Sequence, residues 1–302
     1  MKRKTDRTTG KQTLSLTKMN LRGWVIMVPT LILFVFFMWG PLASNISYSF
    51  YETMGYTKVN FVGLENYVDV LKDPLFIKAL VNTIKYVFWS LVIGFLIPII
   101  FAMLLNEIVH FKGFFRGALY LPNIIPGLAA IIIWKLLMDP DPSAGLNAIF
   151  QTINLNPLPW LNSQTAVIPL IVLAMTWKSS GATSLIYLAV LQSIDDTYYE
   201  AARLEGANVW QRIRFVTIPH ILPTIRVLLI LQIITVAQIF YEPLVMTGGG
   251  PNNASISLLQ LIYRYVFERG NVAKGAAIGV IVAIILILLT FIYLNVNKKS
   301  ET

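Results

Sequence analysis

Six stretches of this chain are apolar enough and long enough to cross a lipid bilayer, and nothing else in it narrows the choice of fold so far. A spanning helix needs about 20 apolar residues, because backbone polar groups inside the hydrocarbon layer must be paired within the segment. The runs are Gly23 to Phe50, Tyr86 to Asn106, Gly117 to Met138, Ala166 to Leu191, Ile221 to Met246 and Gly275 to Asn297. The second carries no charge. The third has Lys135 near its end, the fourth only Lys178, and the fifth Arg226 and Glu242 near opposite ends. Charged residues make up only 13% of the 302 positions, about half the share usual in soluble domains. The expected fold is therefore all-α: a polytopic membrane domain of six helices over 23–297, between a basic tail (1–22) and a short tail (298–302). With no cysteine in the chain, disulfides, thiol catalysis and Cys-based metal sites are excluded. The first run is too long for a signal-peptide core and ends without a small-residue cleavage site, so no cleavable signal is expected.

Orientation follows from lysine and arginine, which concentrate on the cytoplasmic side. The tail carries Lys2, Arg3, Lys4, Arg7, Lys11, Lys18 and Arg22. Placed inside, it brings Lys112, Arg116, the 192–220 loop with Arg203, Arg212 and Arg214, and Lys298 and Lys299 to the same side. The 139–165 loop, which has Asp139 and Asp141 but no lysine or arginine, then lies outside; 51–80, with three lysines, runs against the rule. Both of these outer loops are expected to form short surface helices. The net charge of +9 is thus a membrane-topology signal that fits a lipid surface, and no nucleic-acid partner is expected.

The 195–223 loop is too structured to be a mere connector. Thr197 to Glu200 fits a capping box, Gly206 suits the left-handed position that ends a helix, and Asn208 with Gln211 fits a second box. Pro219 and Pro223 are expected to interrupt the second helix before the next span. The loop reads helix, glycine corner, helix, proline.

Glu200-Ala-Ala-Arg-Leu-Glu-Gly-Ala207 within that loop resembles the EAA motif of ABC importer permeases. There the motif forms a coupling helix that sits in a cleft of the ATP-hydrolysing subunit. Glu205 stands where that family usually has aspartate, which keeps the charge. Further blocks resemble the carbohydrate (maltose/glycerol-phosphate-type) members. They are Phe61-Val-Gly-Leu-Glu-Asn-Tyr67, Phe114-Phe-Arg-Gly-Ala-Leu-Tyr-Leu-Pro-Asn-Ile-Ile-Pro126, Trp177-Lys178, Tyr187-Leu-Ala189 and Thr247-Gly-Gly-Gly-Pro251. The likeness covers roughly residues 23–297. It implies an inner-membrane permease of a prokaryotic cell, both termini cytoplasmic. Implied partners are a second permease subunit, two ATP-binding subunits that hold ATP and Mg, and an extracytoplasmic solute-binding protein that delivers a sugar. It also implies that Glu200, Ala201, Ala202, Glu205, Gly206 and Ala207 contact the ATPase.

The candidates for a solute pathway are polar residues within the spans. Gln232, Thr235, Gln238 and Glu242 recur at helical spacing on one face of the fifth span, and polar groups are costly toward lipid. Such a face either recognises solute hydroxyls or hydrogen-bonds to a neighbouring helix. In maltose-type permeases the positions matching Thr235 and Gln238 line the sugar site. Lys178, midway along the fourth span with Ser179 and Thr183 beside it, either binds a solute group or pairs with an acid. Asn123, between Pro122 and Pro126, lies where a kinked helix exposes it. Trp177 is expected to pack and Lys135 to extend toward the surface. His110 and His220 lack a third ligand, so no metal is expected. Gly248-Gly-Gly-Pro251 lacks the Lys-Ser/Thr of a phosphate loop and reads as a turn. With no nucleophile elbow or His-Glu-x-x-His motif, the chain is not expected to be an enzyme, and it has no candidate catalytic residue. The first alternative is an ABC permease for a non-sugar solute; after it comes a secondary transporter, which would usually use intramembrane carboxylates, and Glu242 is the one candidate.

Overall fold

A computed structural model of the chain describes residues 21–298 except 109. The tails expected at 1–22 and 298–302 fall almost entirely outside the described residues. The chain divides into two units, one ending at Ser47 and one beginning at Tyr48. The first is an apolar helix from Leu21 with a π turn at Val35–Trp39, continuing as Gly40–Tyr48.

The second unit is a helical assembly with a small two-stranded sheet. Its first long helix, Pro74–Glu107, is 34 residues, or about 51 Å, and so exceeds the 30 Å hydrocarbon layer. It starts well before the expected Tyr86 because Asp73 caps it, accepting from the Leu75 amide at 2.8 Å, with Pro74 in the first turn. A π turn at Ser90–Gly94 interrupts it. Next comes a broken pair, Lys112–Ile124 and Gly127–Leu137, bent by 94°. The break falls at Ile125, whose extended backbone is the conformation a following proline imposes, here Pro126. Val167–Leu191 follows as an unbroken 25-residue helix, then Val209–Ala237 and finally Val272–Lys298.

Among the described residues, four helices are long and apolar enough to cross a membrane, and five if the bent pair is one span. Val167–Leu191 has the length, but Lys178 and the Ser-Thr cluster dilute its apolar content. The expected fifth span needs correction. It ends at Ala237, and Tyr241–Thr247 is a separate helix. Pro219 and Pro223 do not interrupt it either. Pro219 lies in the first turn of Ile218–Ala237, and the π turn at Ile213–Thr217 joins that helix to Val209–Arg212.

Three buried clusters hold the unit together. One joins Val167–Leu191 to the outer elements through Tyr86, Ile171, Leu161 and Met246. A second packs Val70 and Phe76 on Leu261 and Ile278. A third gathers Leu105, Tyr187, Leu191 and Ile221 near the 195–223 loop. Gly181 permits the closest helix contact: a Cβ there would lie 1.8 Å from the Leu119 carbonyl oxygen. The outer loops carry the expected short helices, Glu65–Lys72 and Gly145–Thr152, plus an antiparallel hairpin, Tyr51–Met54 with Thr57–Phe61, that was not expected.

Candidate functional site

The Val167–Leu191 and Val209–Ala237 helices run antiparallel beside the π turn of Pro74–Glu107 and enclose a cavity of about 360 Å³. Asn123, Lys178, Ser179, Thr183 and Thr235, all singled out from sequence, line it together with Gln232 and Glu242. Gln238 is not among its walls. It occupies the C-cap and turns its amide back to the Ile234 carbonyl at 3.1 Å, because the helix stops at Ala237. The continuous polar face of the fifth span therefore ends at Thr235, and Glu242 reaches the cavity from the next helix.

Lys178 also has partners within the chain. Its ammonium donates to the Ile125 carbonyl at 2.7 Å and more weakly to that of Asn123 at 3.4 Å. Those carbonyls are freed where the broken pair bends, so the lysine satisfies them and pins the bend. Ser179 and Thr183 donate to the carbonyls of Met175 and Ser179, at 3.0 and 3.3 Å, yet stay exposed to the cavity. Gln232 donates to the Ser90 carbonyl at 3.4 Å, across from Gly94. A Cβ at Gly94 would meet the Gln232 amide nitrogen at 2.8 Å and the Thr176 hydroxyl at 3.1 Å, so a side chain there would displace the Gln232 amide. Trp177 packs edge-on against Trp134, as expected, with ring centroids 5.7 Å apart.

The 195–223 loop builds a second surface. Asp195, not Thr197, caps its first helix, Asp196–Leu204. The carboxylate accepts from the Thr197 amide at 2.9 Å, and that bond holds its pKa below the usual value. Glu200 is therefore in the helix body and exposed, not bound up in a capping box. Gly206 has φ of +78°. The Ala207 amide donates to the Ala202 carbonyl and the Gly206 amide to that of Arg203, closing the helix in a Schellman motif. Asn208 and Gln211 form the reciprocal capping box read from the sequence, at 2.8 and 2.9 Å. Tyr199 meets Thr217 at 3.0 Å, tying the first loop helix to the foot of the next span. Sequence reasoning missed the apolar side chains here. Leu204 is 90% and Trp210 79% exposed, beside exposed Val209 and Phe215. Their signal was available, as large apolar residues inside a polar loop. Such a patch marks a protein or membrane interaction surface.

The glycine turn after Thr247 is tied to the first long helix of this unit. Asn82 donates to the Asn253 and Ile256 carbonyls and Tyr86 to that of Ser255. Lys135 is exposed and donates to the Val245 carbonyl at 3.1 Å. His220 contacts the Val216 carbonyl and stacks near Tyr198. Among the described residues, no three His, Asp or Glu side chains cluster as metal ligands.

Residues 94–301 match the sequence profile of the family described as "Binding-protein-dependent transport system inner membrane component". The arabinooligosaccharides transport system permease AraP of Bacillus subtilis is 30% identical over 92% of this chain and 89% of its own. The trehalose/maltose transport system permease MalF of Thermococcus litoralis is 30% identical over 91% and 93%. A chain of a bacterial ABC transporter that imports the acidic polysaccharide alginate superposes with a TM-score of 0.82 over 92% of this chain and 96% of its own; at 24% identity, it establishes the shared fold.

Proposed function

The chain belongs to the family of binding-protein-dependent transport system inner membrane components, and from that premise we propose that it forms half of a sugar or oligosaccharide pathway. It is a membrane permease of an ABC importer and not an enzyme. The proposal adds the substrate, the pathway, the orientation and the remaining partners. A second permease subunit completes the pathway, Val167–Leu191 serves as the sixth span, and both termini lie in the cytoplasm. Two ATP-binding subunits dock on the 195–223 loop, and a solute-binding protein delivers the sugar from outside. Closure of the ATPases on ATP and Mg moves the loop helices, and the Tyr199–Thr217 contact passes that motion to the span lining the cavity.

The observation that carries this reading is the cavity itself, where hydroxyl, amide and ammonium groups from separate helices converge. Such a mixture suits a solute rich in hydroxyls. Several relatives move oligosaccharides, by their names, which favours a sugar over other solutes. Thr235→Ala tests it in the assembled transporter. A solute hydroxyl left unpaired costs about 1–3 kcal/mol, so uptake efficiency is expected to fall between about 5- and 150-fold, with the ATPases still bound. Unchanged uptake kinetics would make this wall a helix contact only.

A further inference from the structure

The cavity has a distinct end toward the 195–223 loop, walled by Phe95, Tyr187 and Leu228. Tyr187 lies 15 residues from Val172, the wall residue nearest the other end of the same helix, or about 22 Å along the axis. Below it is the packed cluster of Leu105, Leu191 and Ile221. Tyr187 is wholly buried, yet no group of the protein hydrogen-bonds to its hydroxyl. Four other hydroxyls of this helix differ: Thr176, Ser179, Thr183 and Ser184 each return to the carbonyl four residues back. A tyrosine hydroxyl stands too far from its own backbone to do so.

Packing alone therefore favours phenylalanine at 187, which fills the same space without an orphaned donor. Phe95 and Leu228 have no polar side-chain atoms to offer. Water arriving through an opened end can supply the partner that the protein's own groups do not. We propose that Tyr187 gates the end of the pathway nearest the coupling loop: its hydroxyl is unpaired while that end is closed and hydrated once it opens, so the closed state is penalised and opening is favoured. The proposal rests on the cavity being a solute pathway.

The test uses the complete importer with Met175→Cys as a reporter in this cysteine-free chain. An impermeant thiol reagent is applied from the loop side, in inside-out vesicles. Tyr187→Phe is expected to slow labelling between about 5- and 150-fold, the span for an unpaired buried hydroxyl, and to slow uptake. Tyr187→Ala, which removes the plug, is expected to speed labelling. Equal labelling of the Tyr187 and Tyr187→Phe forms would overturn the gate. The pathway reading is checked separately in the Tyr187 form, where solute-loaded binding protein with ATP is expected to change the labelling rate. No response there would overturn the pathway and the gate together. A normal response with equal labelling of the two forms overturns the gate alone.

Discussion

Gly181→Ala is the most informative small change in the membrane domain. Its Cβ would lie 1.8 Å from the Leu119 carbonyl oxygen and 2.5 Å from the carbonyl carbon, both backbone atoms that cannot rotate away. Reaching even 3.0 Å, the shortest separation real Cβ atoms show, requires the Lys112–Ile124 helix to retreat by about 1.2 Å. Lys178 is one turn from Gly181 and holds the same broken pair through its 2.7 Å bond to Ile125. A retreat of that size takes this bond past hydrogen-bond length. Overpacking of this kind typically costs about 1–3 kcal/mol, and the freed carbonyls at the bend add to it. The expected outcome is an inserted, full-length protein with a lower thermal midpoint and reduced uptake, measured on the detergent-solubilised complex and in proteoliposomes. Gly181→Ser should behave alike. Wild-type melting and uptake in both variants would refute the argument that this close approach fixes the cavity wall.

Two further outcomes follow from the outer and inner loops. Ser143→Cys should react with an impermeant reagent added outside whole cells and Thr8→Cys should not; the reverse pattern would invert the orientation. Gly145 is unsuitable for this purpose, since its φ of +50° and the Leu136 carbonyl at 2.4 Å exclude a side chain. The Asp195 cap makes the loop acid-sensitive. Its folded pKa is lowered from 3.8 by the Thr197 amide, so its contribution is complete above the unfolded value and is lost as pH falls through the folded one. Proteolytic nicking of 195–206 should rise in that acid range, and Asp195→Ala should nick readily at neutral pH with no such rise.

How far the sequence could be read depended on how local each determinant was. Gly206 and the Asn208–Gln211 box were legible because a corner and a cap are decided within four residues. The first cap was misassigned because Asp195 and Thr197 are both competent, and two residues decide which amides each can reach. The fifth span looked continuous because no glycine or proline lies between Thr235 and Glu242 to mark the stop at Ala237. The prolines at 219 and 223 looked like breaks, but Pro219 takes a first-turn position after the π turn, and the helix continues through Pro223. Lys178 was visible as an intramembrane charge. Its carbonyl partners were not, since they lie 53 and 55 residues away. The bond from Tyr86 to Ser255 spans 169 positions, and the unpaired Tyr187 hydroxyl is visible only from its surroundings.

The central claim is that the glycine-cornered loop couples the cavity to ATP hydrolysis in partner subunits. Gly206→Val tests it most directly. Within this chain nothing lies within 4 Å of the added Cβ, so inside the loop the change acts through the backbone, disfavouring a φ of +78° by about 1 kcal/mol or more. The measurement is ATPase activity in proteoliposomes holding both permeases and the ATPases, with and without solute-loaded binding protein, for wild type, Gly206→Val and Glu200→Ala. The account predicts stimulated hydrolysis in the wild type. In both variants it predicts that the stimulation is lost, or the ATPases themselves, while the spans stay inserted. Wild-type stimulation and co-purification in both variants would contradict it.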